Sequence, residues 1–232
     1  MSARVLAIFA LPAAAVAILF IALGFVWWPF FLLAVPAALL VTWLLWRRAD
    51  ASVLRSVGAR PIAEREGARI TNMVESLCLS AGIDTPTIMV VDDPARNLAT
   101  ISGRSHTLLA TSGLLESLDP METEGVVAHA LSKITTGTAY YETLVASAGA
   151  AVLPVQRSWA RTWGGGEAGV IRFDISGVGL TRYPPGLRSA LLRIDEGDVH
   201  VAGADALGNA WLVPPTPERI PLEHRIEVLG EL

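Results

Sequence analysis

The sequence is poor in cysteine and in charge, and each shortage excludes something. Cys78 is the single cysteine, so an internal disulfide cannot form. It sits among apolar neighbours at helical spacing, which predicts a small core residue and not a catalytic thiol. Only 17% of residues are charged while 52% are hydrophobic, an unusual balance for a purely soluble domain. The formal net charge is -4, without a basic patch or a long run of one sign, so nucleic acid is not an expected partner. No internal repeat is present. Gly164-Gly165-Gly166 does not follow a strand candidate, as a phosphate-cradling loop would, and reads as a flexible loop. What remains is 232 residues with a mean hydropathy of +0.48, which implies a membrane part.

That part is at the N-terminus. Val5 to Val26 is uncharged and almost wholly apolar, long enough for a bilayer, which takes about 20 helical residues. A second run, Phe30 to Trp46, is bracketed by Trp27, Trp28, Trp43 and Trp46, residues suited to the two interfaces. A cleaved signal peptide would account for the first run but not the second. Arg4 precedes the first run, Arg47 and Arg48 follow the second, and the connecting turn carries no Lys or Arg. Both ends are therefore expected on the cytoplasmic side. Residues 1–48 read as a transmembrane helical hairpin and 49–232 as one cytoplasmic domain, long enough for its own core.

Within that domain Pro61 is expected to open a helix running to Ala81, with Ile70, Met73, Val74, Leu77 and Cys78 on one face. Three short strands follow at Thr87–Val91, Leu98–Ser102 and His106–Thr111, expected to form a small antiparallel sheet. Ser112 is expected to cap a brief helix to Leu118. Asp119, Pro120 and Glu122 then spell a capping box with proline at the first helical position. Val126, Val127, Ala130, Leu131 and Ile134 make one apolar face of that helix, and Gly137 offers an exit. His129 and Lys133 lie one turn apart on the shoulder of the face.

Further on, Thr143 to Val155 is apolar but only about 13 residues long, which predicts a buried or membrane-surface segment. Arg157, Trp159, Arg161 and Trp163 suit either an interfacial stretch or a solvated loop. Leu187, Ala190, Leu191 and Ile194 recur at helical spacing, Asp195 to Asn209 is polar with room for a hairpin, and Pro221 to Leu229 reads as a last helix. Ser132 beside Lys133 does not make a nucleophile pair, because adjacent helical residues point about 100° apart. His106, His200 and His224 share no metal-ligand spacing.

These residues carry a resemblance. The N-terminal hairpin, Ala81-Gly-Ile-Asp-Thr-Pro-Thr-Ile-Met-Val-Val-Asp-Asp-Pro94, Asn97-Leu-Ala-Thr100, Leu108-Leu-Ala-Thr-Ser-Gly-Leu-Leu-Glu-Ser-Leu118, Gly177 to Leu187 and His224-Arg-Ile-Glu-Val-Leu229 together resemble the HtpX-type membrane zinc metallopeptidases, relatives of the CAAX prenyl endopeptidases. The resemblance implies an α+β fold: a two-helix transmembrane hairpin, then a mainly helical zincin-like metallopeptidase domain with the small antiparallel sheet. In that family a helix carries H-E-x-x-H, with two zinc-binding histidines and a glutamate that activates the metal-bound water. Here the five positions read His129-Ala130-Leu131-Ser132-Lys133. The family's third ligand opens an E-x-x-x-D pattern whose aspartate supports a zinc-binding histidine. The matching positions here are Val170 and Asp174, with Glu167 a possible ligand only in a shifted register.

Two ligands and the base are thus replaced, and one imidazole cannot hold zinc. The expectation is no cofactor, no catalytic residue and no metal ligand, with zinc only if the site has diverged and not died. Lys133 is expected either to approach Asp174, its ammonium standing where the metal's charge would be, or to lie exposed to water. The function that follows is a membrane-anchored, catalytically inactive relative of these peptidases, in contact with membrane lipid and acting by binding a protein or as a regulatory or structural subunit of a membrane complex. The alternative is an active zinc metalloendopeptidase with a divergent site. An extended peptide is expected at Leu98, Ala99, Thr100, Ile101 and Ser102 by strand addition.

Overall fold

A computed structural model describes residues 3–25, 28–147, 166–202, 205–214 and 221–232. The expectations for residues 148–155, for Arg157, Trp159, Arg161 and Trp163, and for Gly164 and Gly165 lie outside the described residues.

Two helices, α1 (Ala3–Gly24) and α2 (Pro29–Ser56), form the expected N-terminal pair and pack on each other. Phe20 meets Phe30 edge to face, with ring centroids 6.1 Å apart. Their outer surface is apolar: Ile18, Leu32 and Leu39 are each about two-thirds exposed. Among the described residues no single helix is long and apolar enough to cross a membrane. Leu32–Leu44 and Arg47–Ser56 pass that measure only together, across a 48° bend. α2 continues past Arg48. It runs to Ser56, and Ala49, Val53 and Val57 are buried, the last two in a cluster with Val91, Ile101, Leu109 and Trp211.

The sheet corrects the expectation of an antiparallel one. It is mixed, with order β1-β2-β4-β3 for β1 (Arg60–Pro61), β2 (Thr87–Val91), β3 (Leu98–Ser102) and β4 (His106–Thr111). β2 and β4 are parallel, Thr87 opposite Thr107, whereas β3 and β4 form an antiparallel hairpin, Leu98 opposite Ala110. The cause is the connection after β2. Asp93 N–H donates to Ser112 Oγ and Asp93 Oδ1 accepts from Ala95 N, which carries the chain across the end of β4 to the far side. The return strand β4 then falls between β3 and β2 and runs with the latter. Pro61 sits in β1, paired with Met89, so α3 (Glu64–Ala81) begins three residues later than expected.

α4 (Ser112–Ser117) is capped by Thr111, whose hydroxyl accepts from Leu114 N, rather than by Ser112. The next helix, α5 (Pro120–Thr135), has the full capping box: Asp119 Oδ1 accepts from Glu122 N, and Asp119 N–H donates to Glu122 Oε2, both at 2.9 Å. Gly137, at φ 72°, lets the chain leave it. Every residue from Gly125 to Ile134 is buried, because α5 is wrapped by α6 (Thr138–Ser147), α7 (Gly166–Thr181) and α8 (Pro184–Asp195). Two glycines permit the closeness. A Cβ on Gly125 would lie 2.5 Å from Leu187 N, and one on Gly177 would lie 2.8 Å from His129 N. The last helix is α9 (Leu222–Gly230). In place of the hairpin expected before it, Asp205–Ala210 forms 3-10 turns kinked at Gly208, and Trp211 then bridges antiparallel to Ala99.

Candidate functional site

The backbone fit of α7 against α5 brings His129 and Asp174 together. Asp174 Oδ1 lies 2.7 Å from His129 Nδ1, and both side chains are almost fully buried. A third residue, Arg225 on α9, grips the same carboxylate with both arms of its guanidinium, Nε to Oδ2 at 2.8 Å and Nη2 to Oδ1 at 2.7 Å. Its Nη1 donates to Leu212 O. Paired, bidentate geometry is what makes a buried charge tolerable. Burial alone would push the Asp174 carboxyl up, but Arg225 and His129 outweigh it and hold it at about 2. Burial pulls the His129 pKa down, against the attraction of Asp174. A neutral imidazole beside an ionised carboxylate must keep its proton on Nδ1, which leaves a lone pair on Nε2. Phe173 closes the other side, its ring edge-on to the imidazole with centroids 6.2 Å apart.

One turn further along α5, Lys133 corrects an expectation. Its ammonium pairs not with Asp174 but with Glu142 of α6, Nζ to Oε2 at 2.7 Å, with both side chains buried. It also donates to Asn209 O at 2.6 Å and reaches Ala210 O at 3.4 Å. Glu142 Oε2 has no partner of hydrogen-bond geometry, so its contact with Lys133 is an ion pair and not a directed bond. Burial raises the Glu142 pKa, with Lys133 opposing. Ser132 Oγ lies within bonding distance of His129 O and Phe173 O, which ties α5 to α7 and leaves that hydroxyl no free role.

At the two positions that the resemblance assigns to the family's glutamates, Ala130 is fully buried with only a methyl group, and Val170, on α7 one turn before Asp174, offers no donor. Glu167 lies in the first turn of α7 and its side chain is outside the described residues. The sequence reading missed two members of the site. Arg225 lay inside the quoted stretch His224 to Leu229, and Glu142 is the lone acid of an otherwise uncharged helix. A buried counter-charge sought for each ion at the motif positions leads to both. His106 pairs with Ser102 Oγ, and His224, half exposed, lies 3.9 Å from Glu227.

The strand Leu98–Ser102 is entirely buried. Its outer edge is engaged from within the chain: Leu98 O accepts from Leu212 N at 2.7 Å, and Ser102 N–H donates to Thr143 Oγ1 at 2.8 Å. Asn97, just before it, is also fully buried. Its amide oxygen accepts from Leu98 N and Val213 N, and its Nδ2 donates to Val199 O and Val213 O.

No protein-family model matches the chain. Curated relatives do. A "Protease HtpX homolog" of Tropheryma whipplei is 30% identical over 222 residues, 75% of this chain and 76% of its own length. One of Dictyoglomus thermophilum is 28% identical, in an alignment that covers 82% of this chain and 79% of the relative. One of Bacteroides fragilis is 38% identical over 88 residues, a match that covers 37% of this chain and 27% of the relative.

The zinc metallopeptidase character of that family corrects the expectation of no cofactor, since it points to zinc. The side chains at the motif positions do not fit the ion. Asp174 has both oxygens engaged, Lys133 and Arg225 bring positive charge, and His129 Nε2 is the one imidazole nitrogen left for a metal that takes three or four ligands. Among the described residues no three His, Cys, Asp or Glu side chains converge. The structure does hold an aspartate against a histidine across two helices, as the resemblance leads one to expect of Asp174. With that frame in place and 30% identity across three quarters of both chains, this chain belongs to the HtpX protease family, and its kinship points to the membrane.

Proposed function

We propose that this chain is a membrane-anchored, non-cleaving member of the HtpX family that acts by binding protein, as a regulatory or structural subunit of a membrane complex. One observation carries the reading: the motif helix presents the methyl group of Ala130 in place of the proton acceptor and a Lys133–Glu142 ion pair in place of the second histidine. Water cannot be deprotonated by a methyl group, and a buried ammonium repels a divalent cation. The word "protease" in the relatives' names describes those proteins.

The test is casein cleavage by detergent-purified protein, with its zinc measured by elemental analysis of the same sample. Cleavage is expected at background, unchanged by chelator. Stoichiometric zinc with chelator-sensitive cleavage refutes the reading in favour of an active metalloendopeptidase.

The proposed topology is residues 1–48 as a two-span hairpin, with both termini and the domain cytoplasmic. The positions of Arg4, Arg47 and Arg48 support it, as do the exposed apolar side chains of α1 and α2. A cysteine placed at Glu231 should be labelled by an impermeant reagent only after cells are opened; labelling of intact cells contradicts the topology. Protein capture is proposed along Leu98–Ser102. A partner strand can add there only where Trp211 and Leu212 give way.

A further inference from the structure

The segment from Asn209 to Val213 is held in an unusual manner for part of a core. It lies antiparallel to β3, Trp211 opposite Ala99, but most of its backbone is held by side chains instead of by a neighbouring strand. Lys133 Nζ donates to Asn209 O, Arg225 Nη1 donates to Leu212 O at 2.9 Å, and the Asn97 amide both accepts from Val213 N at 3.2 Å and donates to Val213 O at 2.6 Å. The sheet itself supplies the bond from Leu212 N to Leu98 O. Two of these three side chains belong to the degenerate centre. Trp211 and Leu212 are buried to within 3% of complete, and the segment is set off by Gly208 at φ 46° before it and Pro214 after it.

A sheet edge that reads a peptide's N–H and C=O groups, with charged and amide side chains completing the reading and apolar space for alternate residues, is the arrangement by which proteins hold extended peptides. We propose that residues 209–213 are a built-in peptide ligand, filling a groove that runs along β3 and across the His129–Lys133 centre. The groove accepts an extended apolar peptide, antiparallel to β3, when this segment leaves, and excludes one while it stays. The inference deepens the protein-capture reading above, naming the ligand class and the chain's own occupant.

The test uses the full-length protein in detergent and a fluorescent peptide with the sequence of residues 207–215. A second peptide replaces its tryptophan and the leucine that follows it with other apolar residues, and a third replaces those two with aspartate. Binding is read by anisotropy for the wild type and for Trp211→Ala and Leu212→Pro, the latter lacking the N–H that Leu98 O accepts. The wild type should bind none of the three. The variants should bind both apolar peptides with affinities within about tenfold of each other, because the contacts are to backbone, and should reject the aspartate peptide. Adding Asn97→Ala should weaken that binding by about tenfold or more.

Folded variants that bind no peptide overturn the proposal, as does binding of the chain's own sequence alone, which marks an ordinary core piece. If the variants melt, either apolar peptide should restore their melting temperature, and failure of both to do so overturns it equally. Mass spectra of the peptides after incubation separate this inference from the reading beneath it. Bound but cut peptide refutes the non-cleaving function and leaves the groove standing; unbound, uncut peptide refutes the groove alone.

Discussion

Removing Lys133 while leaving Glu142 strands a carboxylate whose side chain is only 6% exposed. Deleting one partner of a buried ion pair costs about 3–5 kcal/mol, because the survivor keeps its desolvation penalty without its counter-charge. Lys133→Met should therefore lower the melting temperature by on the order of 10 °C for a domain of this size. Glu142→Gln should cost less, about 2 kcal/mol, since the ammonium keeps its bonds to Asn209 O and Ala210 O. The double variant Lys133→Met with Glu142→Leu should recover most of the loss, ending about 1–2 kcal/mol below the wild type, because an apolar pair leaves no buried charge while Asn209 O and Ala210 O lose their donor.

The sign of the pH dependence follows from the carboxyl. Burial raises the Glu142 pKa above its ordinary 4.5, and without Lys133 it rises further, so the folded state binds a proton that the unfolded state releases. The penalty of Lys133→Met is then smallest below that ordinary value and grows as pH climbs through the raised one. Melting of all four proteins in detergent, followed by tryptophan fluorescence at two pH values, gives the coupling energy directly. Single losses below about 1 kcal/mol that simply add would refute the argument that the two charges depend on each other.

Asp174 is held at about 2 against an ordinary 3.8, which corresponds to about 2 kcal/mol of stability present above pH 4 and lost as pH falls toward 2. His129, whose pKa burial lowers from 6.5, adds a loss that begins below that value, and an acid titration of stability should lose the Asp174 part in Asp174→Asn. Gly177→Ala places a methyl group 2.8 Å from His129 N and should cost about 1–3 kcal/mol, whereas Gly179→Ala, which lies in the same helix and meets nothing within 4 Å, should raise stability slightly, by about 0.5–1 kcal/mol. The triple variant Ala130→Glu, Lys133→His, Val170→Glu completes the family's donor set around His129 and should gain about one zinc per chain by elemental analysis; the same protein without Val170→Glu should gain much less.

Helix α5 was legible because every local signal agreed: cap, first-turn proline, capping-box glutamate, apolar face and exit glycine all fell where the structure has them. The mixed sheet was not legible, because strand order depends on where the Asp92 to Asn97 loop is tied, and that is settled by Ser112, 19 residues from Asp93 in sequence. The partners of the site were hidden for a similar reason. Lys133 and Asp174 each needed a counter-charge, and the sequence offered each other as the economical answer. The structure supplies Glu142 and Arg225 instead, 9 and 51 positions away in the chain. Spacing within one helix reveals which residues share a face, but not which helix arrives to meet them.

The two ion pairs of the site also tie together the helices that surround Ala130. Asp174 is bound on one side by His129 and on the other by Arg225, so it joins α5, α7 and α9 through a single carboxylate. Lys133 joins α5 to α6 through Glu142, and to the 209–213 segment through two carbonyl oxygens. Neither ion can be lost alone without leaving a buried charge, and Ser132 adds a neutral link between α5 and α7. A polar centre wired in this way is kept by the cost of breaking any one link, whether or not it performs chemistry. Retention of His129 and Asp174 is then evidence about stability first. Activity has to be judged from Ala130, whose methyl group takes no part in that network.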